Sequence, residues 1–210
     1  MIRLNNSKAA MMEFTSFEVK EGTTPNQLIE AVLNFESNFL QQQSGIIFHC
    51  LVRNMEGKFA NVLFAEDKES LKQLEKSAEG NQSVKLFFDM VEPSNVQVHY
   101  NTINKENFEV PESFSCVEYG VFKLKEKDSL DSLLLVSQTI EKDYLHNFKN
   151  TKEHFIGTLP DKVYTEVVLG ETLGQTKQIC TGYLENQFCK TFLEMIDEST
   201  MQLDFWYLIA

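Results

Sequence analysis

Apolar positions along the chain follow a strand-helix-strand-strand-helix-strand rhythm, and the rhythm occurs twice. Glu13–Lys20 alternates in the manner of a strand, with Phe17 and Val19 on one side and Ser16 and Glu18 on the other. Gly22 ends it. Thr23 or Thr24 then caps a helix that has Pro25 in its first turn, where a missing N–H costs nothing. Leu28, Ile29, Val32, Phe35 and Phe39 recur at spacings of three and four and give that helix one apolar stripe. Ile46–Arg53 reads as a second strand, Met55–Lys58 as a turn with Gly57 supplying a positive φ, and Phe59–Ala65 as the returning strand. Lys68–Ala78 and Asn81–Met90 read as helices, and Val96–Tyr100 as the last strand.

A polar linker, Asn101–Phe114, precedes the second round. Glu118–Leu124 is the strand, Asp128 or Ser129 the cap, and Leu130, Leu133, Leu134, Ser137, Ile140 and Tyr144 the stripe of the helix. His154–Thr158 reads as a shortened strand, Pro160–Lys162 as a turn and Val163–Leu169 as its partner. A weak helix over 172–183 is interrupted by Gly174 and Gly182, each costly in a helix interior. Asn186–Ile196 is a short helix and Met201–Leu208 closes the chain.

Residues 11–105 align on 116–210 at a constant offset of 105, with 19 identities in 95 pairs. Composition alone would give roughly six. The chain therefore divides into 1–105, with a short N-terminal arm, and 106–210. Each half is a β-α-β-β-α-β, ferredoxin-like unit, so the fold class is α+β. Such a unit covers one sheet face with helices and leaves the other open, and an open, partly apolar face must be buried. A second copy in the same polypeptide supplies the cover, which predicts two antiparallel sheets packed face to face.

Composition narrows the function. The net charge is −12, spread without blocks, so the surface repels both nucleic acid and anionic membrane. No apolar run reaches the roughly 18–20 residues of a membrane span, and Met1–Met11 lacks an apolar signal core, which points to the cytoplasm. Cys50, Cys116, Cys180 and Cys189 have no metal-ligand spacing and read as small core residues. There is no Gly-rich phosphate loop, nucleophile elbow or paired-Cys motif, so no cofactor and no metal are expected.

Candidate chemistry comes from polar residues present in both copies. His49 and His154 are the matched histidines, each on the second strand of its unit and suited to acid–base work near neutral pH. Strand parity puts Glu13 and Glu118 on the helix-facing side, with Asn61 and Glu166. Glu13, Asn61 and His49 are thus expected to converge in one pocket, and Glu118, Glu166 and His154 in another. Asn61 against Glu166 makes the two pockets chemically unequal.

Phe14–Gly22, Gly45–His49, Gly57–Glu66 and Phe87–Val91 with its following strand resemble the dimeric α/β-barrel superfamily, in its antibiotic-biosynthesis-monooxygenase-like branch. The resemblance covers both halves, and its motifs are turns and core positions. It implies a barrel formed within one chain. It also implies a cofactor-free monooxygenase or cyclase-type activity on a small aromatic or polyketide-like molecule, with His49, His154, Glu13 and Glu118 as catalytic groups. A non-catalytic small-ligand-binding or stress-related barrel protein is the alternative. The resemblance further suggests Asn81 and Asn186 as ligand-binding groups, although both also suit a helix N-cap. The chain lacks the Trp that often precedes the Glu of the returning strand, having Ala65 and Gly170 there, and its single Trp206 lies elsewhere, which argues against haem degradation. A fused pair satisfies its own sheet faces, so a monomer or weak homo-oligomer is expected, with a small molecule as partner.

Overall fold

A computed structural model describes residues 1–210. The chain forms two compact units, one of residues 1–101, 107–110 and 208–210 and the other of residues 102–106 and 111–207.

In the first unit, β1 (Ile2–Arg3), β2 (Met11–Phe17), β3 (Ile46–Asn54), β4 (Phe59–Ala65) and β5 (Gln97–Ile103) lie in the order β1-β3-β4-β2-β5. Helices α1 (Pro25–Asn38), α2 (Lys68–Ala78) and α3 (Gln82–Phe88) complete the β-α-β-β-α-β sequence. α1 begins where a capping box permits: Thr24 accepts from Gln27 N–H, and the Gln27 side chain returns to the Thr24 backbone. A cap of this kind stabilises by about 1 kcal/mol. The stripe of α1 buries Leu28, Val32 and Phe35 against Phe17, Leu51, Leu63 and Phe87. Each such fully buried side chain contributes about 1.5–3 kcal/mol. The outer edge of β3 is bonded by β1 and also by the last residues of the chain, with Leu51 N–H donating to Ala210 O at 2.8 Å.

The second unit repeats this plan with β6 (Cys116–Lys123), α4 (Leu130–Asp143), β7 (Thr151–Leu159), β8 (Val163–Gly170), α5 (Leu173–Thr181), α6 (Gln187–Met195) and β9 (Gln202–Leu208). Its strands lie in the order β7-β8-β6-β9. Thr102 and Ile103, the end of β5, count with this unit and pair with Thr158 and Gly157 on β7. Ser129 and Ser132 form the capping box of α4.

Three sequence expectations need correction. β7 is not shortened, since it runs nine residues, as β3 does. Its polar start, Lys152 and Glu153, is held by salt bridges to Glu171 and Lys105 rather than by apolar packing. The stretch 101–114 is not all linker, because β5 extends to Ile103. The first strand spans Met11–Phe17, and Val19 makes only an isolated bridge to Val91. No helix is long and apolar enough to cross a membrane.

Candidate functional site

Strand register decides which polar residues share the helix-facing side of each sheet. In the first unit Glu13, Leu63 and His49 stand in one cross-strand row, and Thr15, Asn61 and Leu51 in the next. In the second unit the rows are Phe205, Glu118, Val168 and His154, then Leu203, Gly120, Glu166 and Ile156. Directly opposed residues point to the same face, so both sets of polar side chains turn towards the helices.

The first set surrounds a cavity of about 170 Å³ whose walls include Glu13, His49, Asn61, Phe35 and Tyr100. His49 is fully buried, with Nδ1 2.9 Å from Glu36 Oε1 and Nε2 3.3 Å from Asn61 Oδ1. Thr15 donates its hydroxyl to Glu13 at 2.6 Å, and Tyr100 donates to Glu75. Burial raises the Glu13 carboxyl above its usual range, partly offset by the Thr15 hydrogen bond.

The second set bounds a larger space of about 400 Å³, mostly apolar, lined among others by Phe122, Phe192, Met201 and Phe205, with Glu118 and Glu166 in its wall. Glu166 Oε1 accepts from the Tyr183 hydroxyl at 2.9 Å and lies 3.1 Å from His154 Nε2. On the other side of the ring, His154 Nδ1 stands 3.7 Å from Glu141 Oε2, an ion-pair separation without a hydrogen bond. Glu141 is itself bridged to Lys105 at 2.8 Å. This outer end opens on a groove of about 650 Å³ lined by Lys105, Lys142, His146 and His154.

The electrostatics follow from these distances. Burial works against a charged His154, but the carboxylates of Glu141 and Glu166 outweigh it and raise the imidazole to about 9. His154 is therefore an imidazolium at neutral pH, donating to Glu166. Glu118 is pushed up to about 8, first by burial and then by the neighbouring Glu166, and it is protonated at neutral pH. Burial also works to raise Glu141, yet His154 and Lys105 hold it down at about 2.

The structure thus brings Glu13, His49 and Asn61 to one cavity. Glu118 and Glu166 line the other, with His154 bonded to Glu166 behind them. It does not bring Asn81 or Asn186 there. Asn81 accepts from Ser83 and Val84 N–H, and Asn186 from Phe188 and Cys189 N–H, as helix caps. Sequence reasoning missed Glu36 and Glu141. Their signal was present, since each lies four residues beyond a member of the helical stripe (Val32 and Ser137), where an acid has no packing role. Tyr183, whose counterpart is Ala78, gave no such signal.

Neither inner histidine is placed to ligate a haem iron. His49 has both ring nitrogens against Glu36 and Asn61, and His154 is flanked by Glu166 and Glu141. No group of three or more His, Cys, Asp or Glu side chains is arranged to hold a metal ion.

No family model matches the chain, and no curated protein matches it. Solved structures do. A candidate monooxygenase from Lactobacillus acidophilus NCFM superposes with a TM-score of 0.64 at 8% identity, covering 96% of this chain and 94% of that one. An anthrone oxidase-like protein gives 0.63 at 9% identity, over 100% and 94%. A heme-binding protein from Thermus thermophilus gives 0.61 at 10%, over 100% and 95%. At such identities the likeness is one of fold, and it extends over the whole chain. The protein has the α+β fold of these structures, with two ferredoxin-like units carried on one polypeptide.

Proposed function

We propose that the second unit is the working centre of a cofactor-free monooxygenase or cyclase-type enzyme acting on a small aromatic or polyketide-like molecule. One observation carries the reading: a carboxyl that is protonated at neutral pH, Glu118, lines an apolar cavity beside a carboxylate already committed to an imidazolium. Efficient acid–base catalysis wants a pKa near the working pH, and a carboxyl at about 8 meets that better than an ordinary one. Glu118 takes the acid–base role, and Glu166 with His154 fixes its ionisation. For an activated methylene between aromatic rings, deprotonated Glu118 removes a proton to give a stabilised carbanion. One atom of dioxygen then becomes the carbonyl oxygen and the other leaves as water with the two methylene hydrogens (CH2 + O2 → C=O + H2O), which balances atoms and electrons without a cofactor. The likeness to an anthrone oxidase-like fold supports this class of substrate.

The same reading treats 1–105 and 106–210 as duplicated halves, places the protein in the cytoplasm, and takes the single chain as the functional unit, monomeric or weakly self-associating. The smaller cavity with His49, Glu13 and Asn61 serves as scaffold. Asn81 and Asn186 are not assigned a ligand.

Anthrone is the first compound to test, followed by oxygen uptake and by absorbance of the quinone. Turnover that falls about a hundredfold or more in Glu118→Gln supports the proposal. Binding without turnover in the wild type transfers the case to a non-catalytic ligand-binding protein. A haem titration is the companion control, and a stoichiometric Soret band would remove the cofactor-free reading.

A further inference from the structure

The rims of the two cavities differ by three substitutions that act together. In the first unit Lys72 is paired with Glu69 one helical turn away at 3.2 Å, both well exposed, and it takes no part in the cavity wall. In the second unit the counterpart of Glu69 is Gly174, so Lys177 has lost that partner. Lys177 lies half-buried in the cavity wall, with Nζ 5.2 Å from the centre of the Phe205 ring and no ion pair. The Tyr100–Glu75 clasp of the first unit is replaced by Phe205 and Cys180, which removes a second rim carboxylate.

Outside the first cavity Lys72 is held by Glu69, and at its rim Glu75 is held by Tyr100, whereas Lys177 in the wall of the second has neither acid beside it and the space grows from about 170 to about 400 Å³. Among the residues lining the larger cavity, Lys177 is the only cation. In a chain with 31 acidic residues, an ammonium held on an aromatic ring beside an apolar cavity and left without a carboxylate is placed for a ligand. The cavity's own acids do not occupy it. Glu166 serves His154 and Tyr183, and Glu118 is buried at 3% exposure and protonated at neutral pH.

We propose that this cavity takes an aromatic or fused-ring molecule carrying an anionic group, and that Lys177 is the residue that selects for that group. The inference rests on the reading of the cavity as a ligand site. Phe205 and the apolar wall hold the ring system, and Lys177 meets the phenolate, carboxylate or sulfonate at the rim.

The test uses the purified full chain and two fluorescent probes of one shape: anilinonaphthalene sulfonate and its neutral analogue, phenyl-naphthylamine. The expected result is binding of the anionic probe about tenfold or more tighter than the neutral one. Lys177→Met should abolish that preference while keeping the neutral probe, and Lys177→Arg should retain it. Gly120→Val, which directs a side chain into the same cavity, should weaken both probes. A Lys177→Met protein that still prefers the anion overturns the proposal, as does an anionic probe indifferent to Gly120→Val. Equal binding of the two probes by the wild type overturns the proposal alone. Binding of neither removes the ligand-site reading along with it.

Discussion

His154 Nε2 lies 3.1 Å from Glu166 Oε1, whereas the matched histidine, His49, faces the amide oxygen of Asn61 at 3.3 Å. This difference sets the charge beside each histidine. An amide is neutral at every pH and imposes no charge on its neighbours. A carboxylate in the same place draws a proton onto His154 and helps keep one on Glu118.

Glu166→Asn should therefore make the second unit electrostatically like the first. Loss of the carboxylate removes an attraction that raises His154 and a repulsion that raises Glu118, so both pKa values should fall. Carbon-detected NMR of the carboxyls and nitrogen shifts of the imidazole would read the change. Unmoved values would show that burial alone sets them.

Stability should decline as pH rises through the neutral range. Glu118 is raised to about 8 from 4.5 and His154 to about 9 from 6.5, so the folded protein holds protons that the unfolded chain releases. The Glu118 contribution is whole below 4.5 and gone beyond about 8, and that of His154 is whole below 6.5 and gone beyond about 9. Each site can change the slope by at most about 1.4 kcal/mol per pH unit. Glu141 has the opposite sign, and its contribution disappears as pH falls through about 2. Calorimetry across this range should show the thermal midpoint dropping towards the alkaline side. In Glu118→Gln the lower part of that decline should vanish while the His154 part remains.

Gly120→Thr copies Thr15 of the first unit, whose hydroxyl binds Glu13 at 2.6 Å. A Cβ at Gly120 would meet nothing closer than 3.7 Å, so the backbone accepts it. The new hydroxyl should donate to Glu118 and lower its pKa, and the added bulk should weaken ligands of the cavity. An unchanged Glu118 titration would mean that the hydroxyl turns elsewhere.

Gly170→Ala should destabilise by about 1–3 kcal/mol through overpacking. A Cβ there would stand 2.1 Å from Thr176 Oγ1 and 2.9 Å from Cys116 Sγ, inside the buried Asn150–Thr176 hydrogen-bond cluster. The first unit has Ala65 at this position and Gly45 in place of Asn150, so the glycine stands on the strand in one unit and in the turn before the neighbouring strand in the other. Adding Thr176→Ala, which removes the nearest atom, should make the Gly170→Ala cost smaller than it is in the wild-type background, and denaturant unfolding of the single and double variants would measure it.

The architecture was legible because strand and helix periods differ and the same pattern returns at a fixed spacing. The convergence of Glu13 with His49, and of Glu118 with Glu166, followed from strand parity alone. The rest was hidden for particular reasons. Glu36 and Glu141 sit on apolar helical stripes, and a stripe read for its hydrophobes conceals the acid within it. Tyr183 has no matching tyrosine, so comparing the halves for identities passes over it. Lys177 does match Lys72, yet its situation depends on the absence of a neighbour, Gly174 for Glu69, which no inventory of shared residues records. The length of β7 was misjudged because its first residues are polar, and their support comes from ion pairs distant in sequence.

Lys105 ends the first half by the spacing of the sequence, yet its ammonium bridges Glu141 and Glu153 of the second unit. Ile209 and Ala210 end the second half, yet they bond Leu51. A chain severed at the sequence period would strip the counter-ion from Glu141 and leave the β3 edge bare at Leu51. The period of the sequence and the seams of the fold are offset from each other by a few residues at each end. A stand-alone half is therefore a tailoring problem: the useful cassette follows the seams, and a cut at the period would yield a sticky fragment with a detuned histidine.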